Sequence, residues 1–143
     1  MNDALRRTMP AELDRAYRYI RLEWNPEFAM LTARMGVRPI QCYSLGVLAE
    51  LKQIYADISA ARGLVRYFVT GSDIPGVFNF GGDLSLFVLL VRARDLDSLR
   101  LYARRCIELV WWGEVAADSQ GVKRKKISVL FESFERHSGS AAL

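Results

Sequence analysis

The chain mixes short segments that alternate apolar and polar residues with longer ones whose apolar residues recur every three or four positions. Residues 20–24, Ile-Arg-Leu-Glu-Trp, alternate strictly and predict a half-buried strand. After the turn signal Asn25-Pro26-Glu27, residues 28–35 predict a returning strand, so the pair should form an antiparallel hairpin. A short helical lead-in is expected over residues 11–19.

The next pattern predicts a helix followed by a strand. Ser44, after a loop over residues 36–43, is a suitable N-cap. Behind it, apolar residues recur at helical spacing, namely Leu45, Leu48, Leu51, Tyr55 and Ile58. Arg62-Gly63 should end this helix. Residues 65–70 are rich in β-branched and aromatic side chains and predict a buried strand that returns to the sheet.

The stretch from Val69 to Leu84 predicts a strand that ends in a Gly-Gly-Asp corner and continues into a helix over residues 84–90. Asp83 is expected to cap that helix. Such a corner leaves backbone N–H groups without partners and directed at one spot, where they could hold a carbonyl oxygen that becomes negative during a reaction.

A further helix is expected with Asp95 or Asp97 as its cap, running to about Trp112 before Gly113. Its apolar positions are Leu101, Ile107, Leu109 and Val110. The adjacent Trp111 and Trp112 face different sides of a helix. One of them is therefore expected in the core, and the other exposed at an interface.

Composition supports a globular α/β domain. The chain has 143 residues, of which 51% are hydrophobic and 25% charged, and its net charge is +4, so disorder is not expected and the surface is mildly basic. No apolar run approaches the roughly 18 residues needed to span a membrane, and no signal-type segment opens the chain, so a cytoplasmic protein without a membrane partner is predicted. Cys42 and Cys106 lack metal-ligand spacing and are interpreted as small buried hydrophobes. The only histidine, His137, lies in a predicted solvated tail.

The composition changes near Gly113. Residues 1–112 are predicted to form the core, and residues 113–143 a divergent segment with a basic cluster and a frayed tail. The cluster, Lys123-Arg124-Lys125-Lys126, is either a solvated charge run or a patch that contacts phosphates of coenzyme A or RNA. The sequence shows no aromatic interleaving and no nucleic-acid motif, which disfavours RNA.

One segment resembles a known family. Phe78-Asn-Phe-Gly-Gly-Asp-Leu84, together with the order hairpin, helix, strand, corner and helix, is similar to the start of the crotonase (enoyl-CoA hydratase/isomerase) superfamily. Within it, residues 75–87, Arg21-Leu-Glu-Trp-Asn-Pro-Glu27 and Tyr102-Ala-Arg-Arg-Cys-Ile107 look most like synthases of diffusible signal factor, a cis-unsaturated fatty-acid messenger. The resemblance covers roughly residues 17–112. It implies an α/β fold, the N-terminal part of the ββα spiral core of that family.

The resemblance implies a protein that acts on or binds a fatty acyl thioester, of enoyl-CoA hydratase or signal-factor-synthase type. Acyl-CoA or acyl-carrier protein would be its substrate and partner, with no separate cofactor. The Phe80 N–H would be one oxyanion donor, and Glu132 would be the acid/base, so these two are the candidate catalytic residues. The residues expected beside the CoA moiety are Asn79, Phe80, Gly81, Gly82 and Asp83.

An alternative stays open. The second oxyanion donor of the family comes from a later Gly-Gly-Gly segment, and this sequence contains none. Glu132 and Glu135 also lack a preceding glycine corner. The alternative is a truncated, catalytically silent crotonase-like fragment that serves as a binding or interaction module. Because half of such a core would leave apolar surface open, a homo-oligomer is predicted in either case.

Overall fold

The computed structural model describes residues 9–118, which form a mixed α/β arrangement. Three strands and three helices follow one another in the described residues: β1 (Ile20–Asn25), β2 (Met30–Met35), α1 (Leu45–Ala60), β3 (Tyr67–Ser72), α2 (Leu84–Arg92) and α3 (Leu96–Asp118). The strands form one sheet in the order β1-β2-β3, antiparallel between β1 and β2 and parallel between β2 and β3. The predicted hairpin and helix are thereby confirmed. The returning strand is also present, but it runs over Tyr67–Ser72 instead of residues 65–70 and is half-buried throughout, so the prediction of a buried strand is wrong.

The side chain of Asn25 stabilises the turn of the hairpin. Its Oδ1 accepts hydrogen bonds from the amides of Glu27 and Phe28 at 3.0 and 3.3 Å, which fixes the turn through a side chain. The strands then pair with Ile20 opposite Met35 and Trp24 opposite Leu31. Because side chains alternate along a strand, these residues share one face of the sheet, and all four are buried.

Helix α1 covers that face. Ser44 caps it by accepting the amide of Val47 at 3.3 Å, as predicted. Five of its residues are buried, namely Val47, Leu48, Leu51, Ile54 and Ile58, and all of these except Leu48 belong to the core cluster that includes the strands. The predicted stripe was only partly right, because Leu45 is half exposed and Val47 and Ile54 are buried instead.

The predicted helical lead-in over residues 11–19 is wrong. The segment makes one turn, closed by the Leu13 amide on the Pro10 carbonyl at 2.9 Å, and Leu13 is buried in the core. Beyond it, the amides of Arg18 and Tyr19 donate to the Glu50 carboxylate on α1. These amides find their acceptor in another element, so a helix is not needed to satisfy them.

Helix α3 begins where Asp95 accepts the Ser98 amide at 3.0 Å and continues through Gly113 to Asp118. The predicted end at Trp112 is therefore wrong. A glycine inside a helix costs only about 1 kcal/mol relative to alanine, and Gly113 does not end this one. Helix α3 packs against α1 and α2. None of the helices in residues 9–118 is both long and apolar enough to cross a bilayer.

Candidate functional site

The corner, residues 79–83, is the last part of the connection between β3 and α2, and it is held against the loop that precedes α1. The Phe80 amide donates to the Gln41 carbonyl at 2.8 Å, and the Tyr43 amide donates to the Gly81 carbonyl at 2.8 Å. Tyr43 and Gly82 form an isolated parallel bridge. The corner is therefore fixed by backbone hydrogen bonds on one side.

Gln41 anchors the loop side of this contact. It is buried, its Nε2 donates to the Met35 carbonyl at 2.8 Å and to Ser72 Oγ at 2.9 Å, and its Oε1 accepts the Val37 amide at 2.7 Å. One side chain thus ties the ends of β2 and β3 to the loop. This role could not be predicted from the sequence, since a single glutamine between Ile40 and Cys42 belongs to no motif.

The two corner glycines serve different purposes. Gly81 has φ of +90°, which an L side chain rarely adopts, and its amide donates to Asn79 Oδ1 at 2.6 Å. The φ angle of Gly82 lies outside the left-handed region, but a Cβ on this residue would lie 3.1 Å from Cε2 of Phe87. Gly81 therefore makes the turn, and Gly82 lets the first turn of α2 pack closely on the corner.

Tyr102 of α3 closes the corner from the other side. Its hydroxyl donates to the Tyr43 carbonyl and accepts the Asp83 amide at 3.0 Å, and its ring meets the Phe87 ring edge-on at 5.0 Å. Burial is the main reason why the pKa of Tyr102 is raised to about 12. The hydrogen bond from the Asp83 amide lowers this pKa, and the hydrogen bond with Cys106 raises it. The phenol therefore stays protonated and keeps donating at neutral pH.

Asp83 caps α2, as predicted, because its Oδ1 accepts the Leu86 amide at 3.0 Å. Burial raises the pKa of the neighbouring Cys42 thiol, and the negative charge of Asp83 raises it further. Cys42 is therefore kept as a neutral, buried thiol, in line with its interpretation as a small hydrophobe. Cys106 is only half-buried, so the same interpretation is not confirmed for it.

The amide predicted as an oxyanion donor is engaged in this structure. The Phe80 N–H donates to Gln41, so it would have to release that bond before it could serve a ligand, while the Phe80 side chain is 68% exposed. Among the residues that the structure describes, the Gly82 amide has no acceptor. The amides of Leu84 and Ser85, in the first turn of α2, have no intrahelical partner by geometry.

These amides suit a carbonyl better than a free anion. A helix N-terminus favours negative charge, but the Asp83 carboxylate already occupies this one. A second full charge beside it would be repelled, whereas a neutral carbonyl that gains only partial negative charge can still accept a hydrogen bond from Gly82.

The other predicted site residues are distributed as follows. Asn79 faces Met35, with Nδ2 at 3.8 Å from Sδ. Glu132, Glu135 and the basic cluster of residues 123–126 lie outside the described residues. A cavity of about 700 Å³ lies over the outer face of β1 and β2 and includes no corner residue. Within residues 9–118, no three side chains gather that could hold a metal ion.

Comparison with models of protein families and with the sequences of curated proteins gave no match for this chain.

Proposed function

We propose that this chain is a crotonase-like protein that binds a fatty acyl thioester, on CoA or on an acyl-carrier protein, at the corner of residues 79–83. The observation that carries the proposal is the Gly82 amide, which has no acceptor among the described residues and adjoins the first turn of α2. The order of the elements and the Asp83 cap agree with the resemblance of the segment Phe78–Leu84 to the crotonase superfamily.

The geometry changes which donor is proposed. Gly82, rather than Phe80, is the corner amide that a thioester carbonyl could reach without breaking a bond to Gln41. A donor fixed before the reaction stabilises developing negative charge without reorganisation, and one such donor contributes about 3 kcal/mol. In the hydration of an enoyl thioester, water oxygen would bond to the β-carbon, the carbonyl would carry the enolate charge, and the α-carbon would then take a proton. Glu132 is proposed as the acid/base that moves these protons.

A silent binding or interaction module is the second candidate. It is favoured by the Phe80 bond to Gln41, which removes the donor that the family resemblance assigns, and by the lack of a Gly-Gly-Gly segment in the sequence. Such a protein would bind the thioester at the corner without turning it over.

Binding can be tested by amide NMR of the full chain with a non-hydrolysable medium-chain acyl-CoA thioether. The Gly82 and Leu84 amides should shift, and CoA without an acyl chain should shift them less. Gly82→Ala should weaken binding, because its Cβ would press on the Phe87 ring. Gly71→Ala is the matched control, since its Cβ would approach Arg34 no closer than 3.7 Å. Unchanged corner amides at millimolar ligand would exclude thioester binding at the corner, with or without turnover.

Activity separates the two candidates. Hydration and thioester cleavage are measured on a medium-chain enoyl-CoA, with Glu132→Ala as the test variant and Glu135→Ala as its matched control. If Glu132 is the acid/base, its variant loses activity while the Glu135 variant keeps it. Binding without any turnover by the unmodified protein identifies the silent module.

A further inference from the structure

Helix α3 exposes large apolar side chains on the side opposite the core. Tyr102 and Gly113 are buried, and Leu109 packs against the core. On the other side, Ile107 and Val110 are each 70% exposed and Trp111 is 67% exposed. Apolar side chains of this size gathered on one surface usually mark an interaction site.

The exposed side forms a regular stripe. Arg100, Ala103, Ile107, Val110 and Glu114 follow one another at intervals of three and four residues, which places them on one helix face, and all five are exposed. This is the spacing with which two helices pack side by side. Arg104 and Trp111 flank the stripe, and together they line a cavity of about 480 Å³ with Arg100, Ala103, Ile107 and Glu108.

The stripe is complementary to itself when two copies run antiparallel. If the two Ile107 side chains meet on a twofold axis, residues equally far before and after position 107 face each other. Arg100, seven residues before, then faces Glu114, seven residues after. The small Ala103 of one copy lies beside Val110 of the other, and Trp111 of one copy lies beside Arg104 of the other. Because such an interface is isologous, each contact occurs twice.

A parallel arrangement lacks this complementarity. It would set Arg100 against Arg100 and Glu114 against Glu114, so like charges would meet at both ends of the stripe. Within one chain, Arg100 lies 3.8 Å from Asp97, whose side chain is 98% exposed, and such a pair contributes little. Arg100 can therefore reach a second copy at small cost.

We propose that the α3 stripe is a dimerisation surface on which a second copy of this chain packs antiparallel, with Ile107 on the twofold axis and Arg100 of each copy paired with Glu114 of the other. The proposal does not depend on thioester binding, which involves the corner and not this stripe. A single helix pair buries less area than the usual stable interface of about 1,600 Å², so the dimer should be reversible and sensitive to concentration.

Sedimentation velocity on the full chain tests the surface. The protein should move from 16.3 kDa towards twice that mass as concentration rises. Ile107→Arg should stay monomeric, because two like charges would meet on the axis. A monomer at every concentration would overturn the proposal, as would a dimer or larger oligomer that Ile107→Arg leaves intact.

Exchanging the charges of Arg100 and Glu114 tests how the two α3 helices are aligned in the dimer. Arg100→Glu and Glu114→Arg should each raise the dissociation constant by about tenfold or more, because each sets like charges opposite one another twice. The double variant Arg100→Glu with Glu114→Arg should restore the dimer. Arg105→Glu, which makes the same change of charge on a different side of α3, is the control and should leave association unchanged. A double variant as weak as the single variants would refute the antiparallel pairing.

Discussion

Tyr102 connects three parts of the molecule through one hydroxyl group. It donates to the Tyr43 carbonyl in the loop before α1 and accepts the Asp83 amide at the start of α2, while its own backbone belongs to α3. Its side chain is only 2% exposed. Both polar partners would lose this bond if the hydroxyl were removed, and water has little access to replace it.

Tyr102→Phe should therefore destabilise the protein by about 1–3 kcal/mol, the usual cost of leaving buried polar groups unpaired. Urea denaturation followed by circular dichroism measures the change. Tyr55→Phe is the matched control, because the Tyr55 hydroxyl has no hydrogen-bond partner among the described residues while its ring keeps the edge-on contact with Phe68 at 5.5 Å. That variant should change the free energy of unfolding by less than about 0.5 kcal/mol. Equal effects of the two variants would contradict a positioning role for the Tyr102 hydroxyl.

The pH dependence of stability follows from the same side chain. Burial raises the pKa of Tyr102 to about 12 in the folded protein, whereas an unfolded tyrosine titrates near 10. Between these values the folded state holds a proton that the unfolded state has lost, so the free energy of unfolding falls as pH rises. The stabilisation is complete below about pH 10 and is lost as pH approaches 12. Tyr55 and Tyr43 contribute in the same direction, because burial raises the pKa of each.

Urea midpoints of the unmodified protein and of Tyr102→Phe, measured between pH 9 and 11, isolate the contribution of Tyr102 to the pH dependence of stability. The Tyr102→Phe protein should lose less stability over this range than the unmodified protein, because one late-titrating phenol is missing. If both proteins lose stability with the same slope, ionisation of Tyr102 is not linked to unfolding.

At the scale of the elements, side-chain caps decide where the last two helices begin. Asp83 accepts the Leu86 amide at the start of α2, and Asp95 accepts the Ser98 amide at the start of α3, both at 3.0 Å. The charge of each carboxylate also suits the positive end of the helix.

Asp83→Ala and Asp95→Ala should each lower the free energy of unfolding by about 1 kcal/mol, the usual cost of losing a cap. Asp97→Ala is the matched control, because Asp97 lies in the first turn of α3 but is 98% exposed and is not the cap. Its effect should stay within about 0.5 kcal/mol. Midpoints of urea unfolding provide the comparison. A control as damaging as the two cap variants would show that loss of a first-turn charge, not loss of the cap hydrogen bond, accounts for the effect.

The parts of the fold that could be predicted from the sequence are those with local causes. Strict alternation over residues 20–24 and the Ser44 and Asp83 caps led to correct elements, because their hydrogen bonds and faces are set within a few residues. The prediction of a helix over residues 11–19 was wrong because the segment makes only one local turn, and the amides of Arg18 and Tyr19 bind Glu50, more than 30 residues away in sequence.

The contacts of the corner could not be predicted from its own residues. The Phe80 amide donates to the Gln41 carbonyl because the loop before α1 lies against this part of the chain, and the spacing of residues 78–84 does not indicate that contact. Similarly, one of the two tryptophans was expected in the core, yet Trp111 is 67% and Trp112 40% exposed. Helix α3 carries apolar residues on more than one side, so composition alone does not indicate which side faces α1.

At the scale of the whole molecule, the exposed stripe on α3 makes stability depend on concentration. A folded dimer is favoured over unfolded chains by mass action. When the dimer is populated, a hundredfold rise in protein concentration stabilises it by about 2.8 kcal/mol, or about 1.4 kcal/mol for each chain. The unfolding midpoint should therefore rise with concentration, by about 3–8 °C for a domain of this size.

Thermal unfolding over that concentration range checks this expectation. Ile107→Arg should give a midpoint that does not depend on concentration, because the variant has no dimer to favour. Arg105→Glu, with its change on another side of the helix, should follow the unmodified protein. If the unmodified protein also melts at one temperature throughout, folding is complete within a single chain. The apolar side chains of α3 would then tolerate water without a second copy to cover them.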